Sequence, residues 1–232
     1  MTTRIAKFIA QTGIASRRMA EDLIVSGRIA VDGVVVDTPI FFIEDGSVVT
    51  LDGIPISKDG VQKLYMFHKP INTMTTTCDP NGRKTIYDFL PQMYRGLKYV
   101  GRLDFKTTGL LLLTNDGQLA RKLTLPSSQI QRTYIASVKR GQKINLDLAR
   151  RGITVDGITY RPMKIHELAN GDLRITVTEG KKNEIRIVLR ACGAPVQKLH
   201  RISFGNIELG KLPVGKIVEI SQKTVDALLK SL

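Results

Sequence analysis

The 232 residues predict an α+β fold in two parts, a small one at 1–60 and a larger one at 61–232. Three observations carry this. Strand patterns outnumber helix patterns and do not alternate with them regularly, which excludes a doubly wound parallel sheet. Asp-Gly pairs at 32–33, 52–53 and 156–157 stand between β-prone residues and read as hairpin turns. Charge divides the chain: residues 1–60 hold six Lys/Arg and eight Asp/Glu, net −2, whereas residues 61–232 hold 29 and 13, net +16.

In the small part, Ile5, Phe8 and Ile9 recur at i, i+3, i+4, the stripe of a short helix over 4–10 that Gly13 ends. Ser16 is a suitable N-cap for a second helix with Ala20, Leu23 and Ile24 inward and Gly27 at its end. Hairpins over 29–36 and 48–54 follow. The polar stretch 57–63 suits a linker. Five of the six basic residues (Arg4, Lys7, Arg17, Arg18 and Arg28) fall within the first 28 positions, so the helical half is +3 and the hairpin half −5. A positive helical face is suited to phosphate, although charge alone describes a solvated surface equally well.

In the larger part, Leu64 to Lys69 reads as a strand stopped by Pro70, and the β-prone Thr73 to Thr77 precedes a turn at Asp79-Pro80-Asn81-Gly82. A short helix over Ile86 to Leu90 ends at Pro91. Leu110 to Leu113 reads as a strand buried on both faces and closed by a tight turn at Asn115-Asp116-Gly117. A short helix over 119–123, a strand over 132–138, a helical turn at 146–150 and a hairpin over 153–159 come next. A strand over 173–178, a helix from Glu184 to Ala191 stopped by Gly193, and strands at 196–199 and 216–220 complete the pattern, with Ser221 capping a last helix.

Net charge of +14 favours a polyanionic partner. With no basic amphipathic anchor and no apolar run near ~18 residues, that partner is a nucleic acid and not a membrane. The first residues lack the apolar segment of a secretory signal. Cys78 and Cys192 match no metal or redox spacing and read as reduced thiols of a cytoplasmic protein. His68, His166 and His200 are scattered and suggest no metal site. No phosphate loop, dinucleotide fingerprint or nucleophile elbow is present, which leaves chemistry without a cofactor, or binding alone.

The stretch Gly101-Arg102-Leu103-Asp104-Phe105-Lys106-Thr107-Thr108-Gly109 places a lone carboxylate, Asp104, in a polar loop held against the leucine strand. Rigid support of this kind suits a reactive group. Read singly, Asp104 is a solvated turn residue, Tyr134 a half-buried strand residue and Arg186 a solvated helix residue. Their ordered company changes that. Residues 13–33, with Ser16-Arg17-Arg18 at a helix start and Gly27-Arg28 before the first hairpin, resemble the small RNA-binding domain named after ribosomal protein S4, Asp32 standing where Asn is usual. His68-Lys69-Pro70, Gly101 to Gly117, Arg132-Thr133-Tyr134 and Glu179 to Arg186 together resemble the ribosomal-RNA pseudouridine synthases.

The resemblance implies a pseudouridine synthase fold, a mixed and mostly antiparallel sheet with helices; the expected enzyme is a monomer. It implies Asp104 as nucleophile, Arg186 as its basic partner, Ile185 as an apolar neighbour, Tyr134 stacked on the target base and Arg102 near the flipped nucleotide. Arg132 and Lys69 join the substrate contacts within the matching motifs, and Arg17, Arg18 and Arg28 those of the N-terminal module. Arg132 and Glu184 stand where Lys and Gln are usual. The implied substrate is a uridine of ribosomal RNA, in the large subunit, and DNA is not a partner.

The chemistry agrees with that expectation. Uracil leaves the sugar, turns and rejoins through C5, which needs neither redox nor an external group. A carboxylate can attack the anomeric carbon or C6 of the ring, and a flipped base needs an aromatic face to receive it. Tyr134 could instead remove a proton. The competing reading is a non-catalytic RNA-binding or ribosome-assembly factor with the same fold.

Overall fold

A computed structural model describes residues 2–12, 14–15, 17–57, 62–139 and 144–230. The expected helix stop at Gly13, the cap at Ser16 and most of the expected linker lie outside these residues.

The N-terminal part contains β1 (Thr3–Arg4), α1 (Ile5–Thr12), α2 (Arg17–Val25), β2 (Ile29–Val31), β3 (Val34–Val36), β4 (Phe42–Ile43), β5 (Val49–Leu51) and β6 (Ile54–Ile56). The predicted stripe holds: Ile5, Ile9, Ala20 and Ile24 are buried together with Ile29, Val31, Val36 and Val49. Helix α2 ends in two nested hydrogen bonds, Arg28 N–H to Leu23 C=O and Gly27 N–H to Ile24 C=O. Gly27 supplies the left-handed residue that this geometry requires, with φ of 71°. Both Asp-Gly turns here have positive φ at both residues, matching the twist of their hairpins. Asp32 Oδ1 also accepts the Val48 N–H at 2.8 Å, a bond that an Asn side-chain oxygen would accept equally.

The larger part is built on a sheet of nine strands. They are β7 (Leu64–Lys69), β8 (Lys98–Val100), β9 (Thr107–Thr114), β10 (Arg132–Val138), β13 (Lys164–Glu167), β14 (Leu173–Val177), β15 (Val196–Phe204), β16 (Ile207–Glu208) and β17 (Ile217–Glu219). The main order is β13-β14-β10-β15-β9-β7-β17, and every pair is antiparallel except β15 with β9. Helix α4 (Asp147–Arg151) precedes the hairpin of β11 (Ile153–Val155) and β12 (Ile158–Tyr160), which is separate from this sheet.

The four leucines are 0% exposed because both faces of the sheet are covered. Leu111 and Leu113 pack with Phe67, Tyr134, Ile175 and residues of α5 (Glu184–Ala191). Leu110 and Leu112 pack with α3 (Gly117–Thr124) and α6 (Gln222–Lys230) through Leu119, Leu123, Val225 and Leu228. Burial on both sides is why this strand reads as a continuous apolar run without alternation.

Three sequence expectations need correction. The tight turn expected at Asn115-Asp116-Gly117 is instead a helix start; Asp116 caps α3, accepting the Gln118 and Leu119 N–H groups. A carboxylate able to satisfy those otherwise unpaired N–H groups favours a helix start. Thr73 to Thr77 form only an isolated bridge from Met74 to Thr85, since Thr73 and Thr75 turn their hydroxyls onto nearby carbonyls instead. The strand expected at 196–199 continues to Phe204.

Candidate active site

The Asp104 loop leaves β8 at Gly101 and returns as β9. A turn closes it, with Thr107 N–H donating to Asp104 C=O at 2.9 Å. Beneath the turn lies Lys69, entirely buried, whose ammonium donates to the carbonyls of Pro70, Asp104 and Thr107 at 3.1, 3.2 and 2.9 Å. Burial pulls the Lys69 ammonium down to about 8, with Asp104 opposing and Arg201 reinforcing the change. From the other side, Arg186 donates to the carbonyls of Lys106 and Val196, both at 3.2 Å. Thr75 Oγ1 donates to Leu103 C=O at 2.8 Å. The backbone of the Asp104 loop, from Leu103 to Thr107, is thus held by side chains from three separate segments.

The carboxylate opens onto a cleft of about 860 Å³ lined by Arg102, Asp104, Phe105, Thr107, Arg132, Tyr134, Glu184, Ile185, Arg201 and Phe204, among others. Tyr134 and Ile185 are buried in its wall and Arg102 is exposed at its rim. Seven Lys/Arg face four Asp/Glu around this cleft, a balance suited to a polyanion. Arg132 packs over the Phe204 ring at 5.0 Å and donates to the carbonyls of Thr178 and Glu179. Burial disfavours its charge, which Tyr134 and Glu184 partly restore.

A family profile described as RNA pseudouridylate synthase matches residues 63–191, and the S4 domain matches residues 3–49. The chain belongs to the RNA pseudouridine synthases. A relative from Rickettsia conorii, named an uncharacterized RNA pseudouridine synthase, is 36% identical over 227 residues, covering 96% of this chain and 98% of the relative. One from Aquifex aeolicus with the same name is 37% identical over 239 residues, covering 100% and 95%. The chain is also similar to the crystal structure of a pseudouridylate synthase, with TM-score 0.70 and 26% identity over 97% of this chain and 99% of that one.

For a pseudouridine synthase, the geometry brings Asp104, Tyr134, Ile185, Arg102 and Arg132 to one cleft and treats the other expected residues differently. Lys69 does not face a substrate; all three of its described bonds go to backbone, so it supports the Asp104 loop from within. Arg186 lies close enough to Asp104 to feel its charge, which offsets part of the burial acting on the guanidinium, but its hydrogen bonds go to carbonyls and not to the carboxylate. A partly desolvated guanidinium takes the acceptors that the turn offers. Arg17, Arg18 and Arg28 do not line the cleft. Arg17 and Arg18 are exposed at the start of α2, while Arg28 is held by Asp52 through a bidentate pair.

Glu184 is the main departure. It is 5% exposed and hydrogen-bonds Glu179, which is itself held by Arg161 and Lys181. Burial, then the charge of Glu179, push the Glu184 carboxyl up to about 7. Burial also works against the Glu179 charge, but the bond from Lys181 leads the interactions that keep that group low. Of the two carboxyls, Glu184 is the one that holds a proton below about pH 7, and in that form it donates a hydrogen bond as a Gln amide would. Among the described residues no group of His, Cys, Asp and Glu is arranged to hold a metal. Sequence reasoning passed over Arg201, which no motif singles out, and gave no role to Thr107, although it lies within the Asp104 motif; both are buried polar residues of the cleft.

Proposed function

We propose that this synthase isomerises one uridine of ribosomal RNA, in the large subunit, with Asp104 as the nucleophile. The observation that carries the reading is the Asp104 carboxylate, presented on a braced turn to a basic cleft whose wall contains Tyr134. Asp104 attacks the flipped-out nucleotide, Tyr134 receives the base and Ile185 closes the apolar side. Arg102 and Arg132 hold the nucleotide at the rim and wall. Arg186 acts on Asp104 through space and through the carbonyl of Lys106. Residues 61–232 form the catalytic domain. Residues 1–60 form a module that grips RNA through Arg17 and Arg18, with Arg28 contributing once released from Asp52. The enzyme works as a monomer in the cytoplasm and draws on no cofactor.

Asp104→Asn tests the assignment. The amide keeps the shape of the carboxylate but is no nucleophile. Pseudouridine formation in large-subunit RNA from cells lacking the protein should vanish with the variant and return with the wild type, while RNA affinity stays within about two-fold. Normal turnover by the variant would remove Asp104 from the role. Modification confined to small-subunit or transfer RNA would overturn the substrate.

A further inference from the structure

Two buried polar groups lining the cleft have no hydrogen-bond partner among the described residues. Arg201 is 2% exposed, and its Nε donates to Leu110 C=O at 2.6 Å, but Nη2 has no acceptor among the described residues. Thr107 is 1% exposed, and its Oγ1 is likewise unpaired. Both line the cleft. Across the parallel pair, Thr107 faces Leu199 and Arg201 faces Gly109, so the hydroxyl and the guanidinium lie two positions apart on one side of adjacent strands. An unmet buried polar group is costly, and more so when it is charged. Two of them together in a cleft mark a place that a ligand completes.

The local charge indicates what kind of ligand. Arg201 is repelled by Lys69 and Arg132, and it packs 5.6 Å from the Phe204 ring that Arg132 also covers. Arg132 and Arg201 line the same cleft as Asp104, and the buried Lys69 lies beneath the Asp104 turn. A bulge in β15 opposite Thr133 and Tyr134 sets the geometry: Arg132 faces Phe204 while Tyr134 faces Arg201. The extra residue lets Arg201 and Phe204, three apart, share the side of Arg132 and Tyr134, two apart. A base lying on Tyr134 therefore has Arg201 at its edge.

We propose that Arg201 and Thr107 receive the carbonyl edge of the flipped uracil, and that Arg201 stabilises the detached base as an anion. The proposal rests on the synthase reading above and applies to the route in which Asp104 attacks the sugar. The N1–C1′ bond breaks with its electron pair remaining on uracil, as an Asp104 oxygen bonds to C1′. The negative charge spreads over N1, O2 and O4, within reach of the guanidinium. C5 then bonds C1′ and displaces Asp104, and the C5 proton leaves while N1 takes one up, so atoms and electrons balance. A buried cation with free N–H donors is already oriented for that charge and need not reorganise.

The test compares wild type, Arg201→Lys, Arg201→Gln and Thr107→Val on RNA saturating for each protein. Cooperative melting selects the folded variants, and Thr107→Val, which preserves shape, decides if both arginine variants fail to fold. Single-turnover rates should fall about 10²- to 10³-fold for Arg201→Gln and at least about ten-fold for the other two, with RNA affinity within about two-fold. With 5-fluorouridine at the target, whose base departs more readily, the Arg201 defect in nucleotide consumption should shrink. Folded variants that keep wild-type rates would overturn the proposal, as would equal defects on both nucleotides. An inactive wild type would instead defeat the synthase reading itself.

Discussion

Glu184 and Glu179 share one proton in the wall of the cleft, and this makes stability depend on pH. The folded-state value of Glu184 is raised, so the native protein binds the proton more tightly than the unfolded chain does. Its contribution is complete below the ordinary glutamate range and is lost as pH rises toward about 7. The depressed Glu179 acts in the opposite direction at lower pH. Glu184→Gln keeps the donor and removes the ionisation. Between about pH 5 and about pH 8 the wild type should therefore lose melting temperature relative to this variant by several degrees; parallel curves in calorimetry would show that Glu184 is charged in the fold. Asp104, Tyr134 and Ile185 were legible from the sequence because each sits inside an ordered motif. Arg201 was not, because a single Arg in a strand carries no pattern; Thr107 lies inside the Asp104 motif, but the burial of its hydroxyl without a partner exists only in three dimensions.

At the scale of elements, the apolar run of β9, the Asp-Gly hairpins and the helices were readable because short-range patterns determine them. The parallel pairing of β9 with β15 and the bulge in β15 opposite Thr133 and Tyr134 were not, since both depend on residues about 70 to 90 positions apart. Gly109 is where this long-range geometry is least forgiving. Its φ is 102°, and a Cβ built there would lie 2.2 Å from Arg201 C=O and 2.7 Å from Arg201 N. Gly109→Ala must separate the two strands beside the Asp104 turn and should cost more than about 2 kcal/mol. Denaturant titration reads that loss, and an unchanged midpoint would mean that β15 is free to shift.

The whole molecule joins a nearly neutral part that contains the S4 domain to a strongly basic one. Lys98 on β8 donates to Ala10 C=O in the last turn of α1 at 3.0 Å, a contact between the two parts. Deleting residues 1–60 should weaken binding to a long ribosomal RNA fragment, while single-turnover chemistry on saturating RNA changes much less. The remaining domain should keep a steep linear fall of log affinity with log salt, because the +16 stays with it. A folded truncated protein without chemistry would show that the module helps to build the site, and unchanged affinity would show that it does not hold RNA.

The sheet is also closed late. Strand β7, the first of the larger part, pairs with β17 near the other end of the chain, and β9 has β15 as its neighbour. During synthesis the four leucines of β9 leave the ribosome more than 80 residues before β15 can cover its open edge. At roughly 5–20 residues per second that is several seconds or more of exposed strand. The nascent chain is therefore a natural client for holding chaperones over that interval, and slow codons between residues 114 and 196 would lengthen its dependence on them.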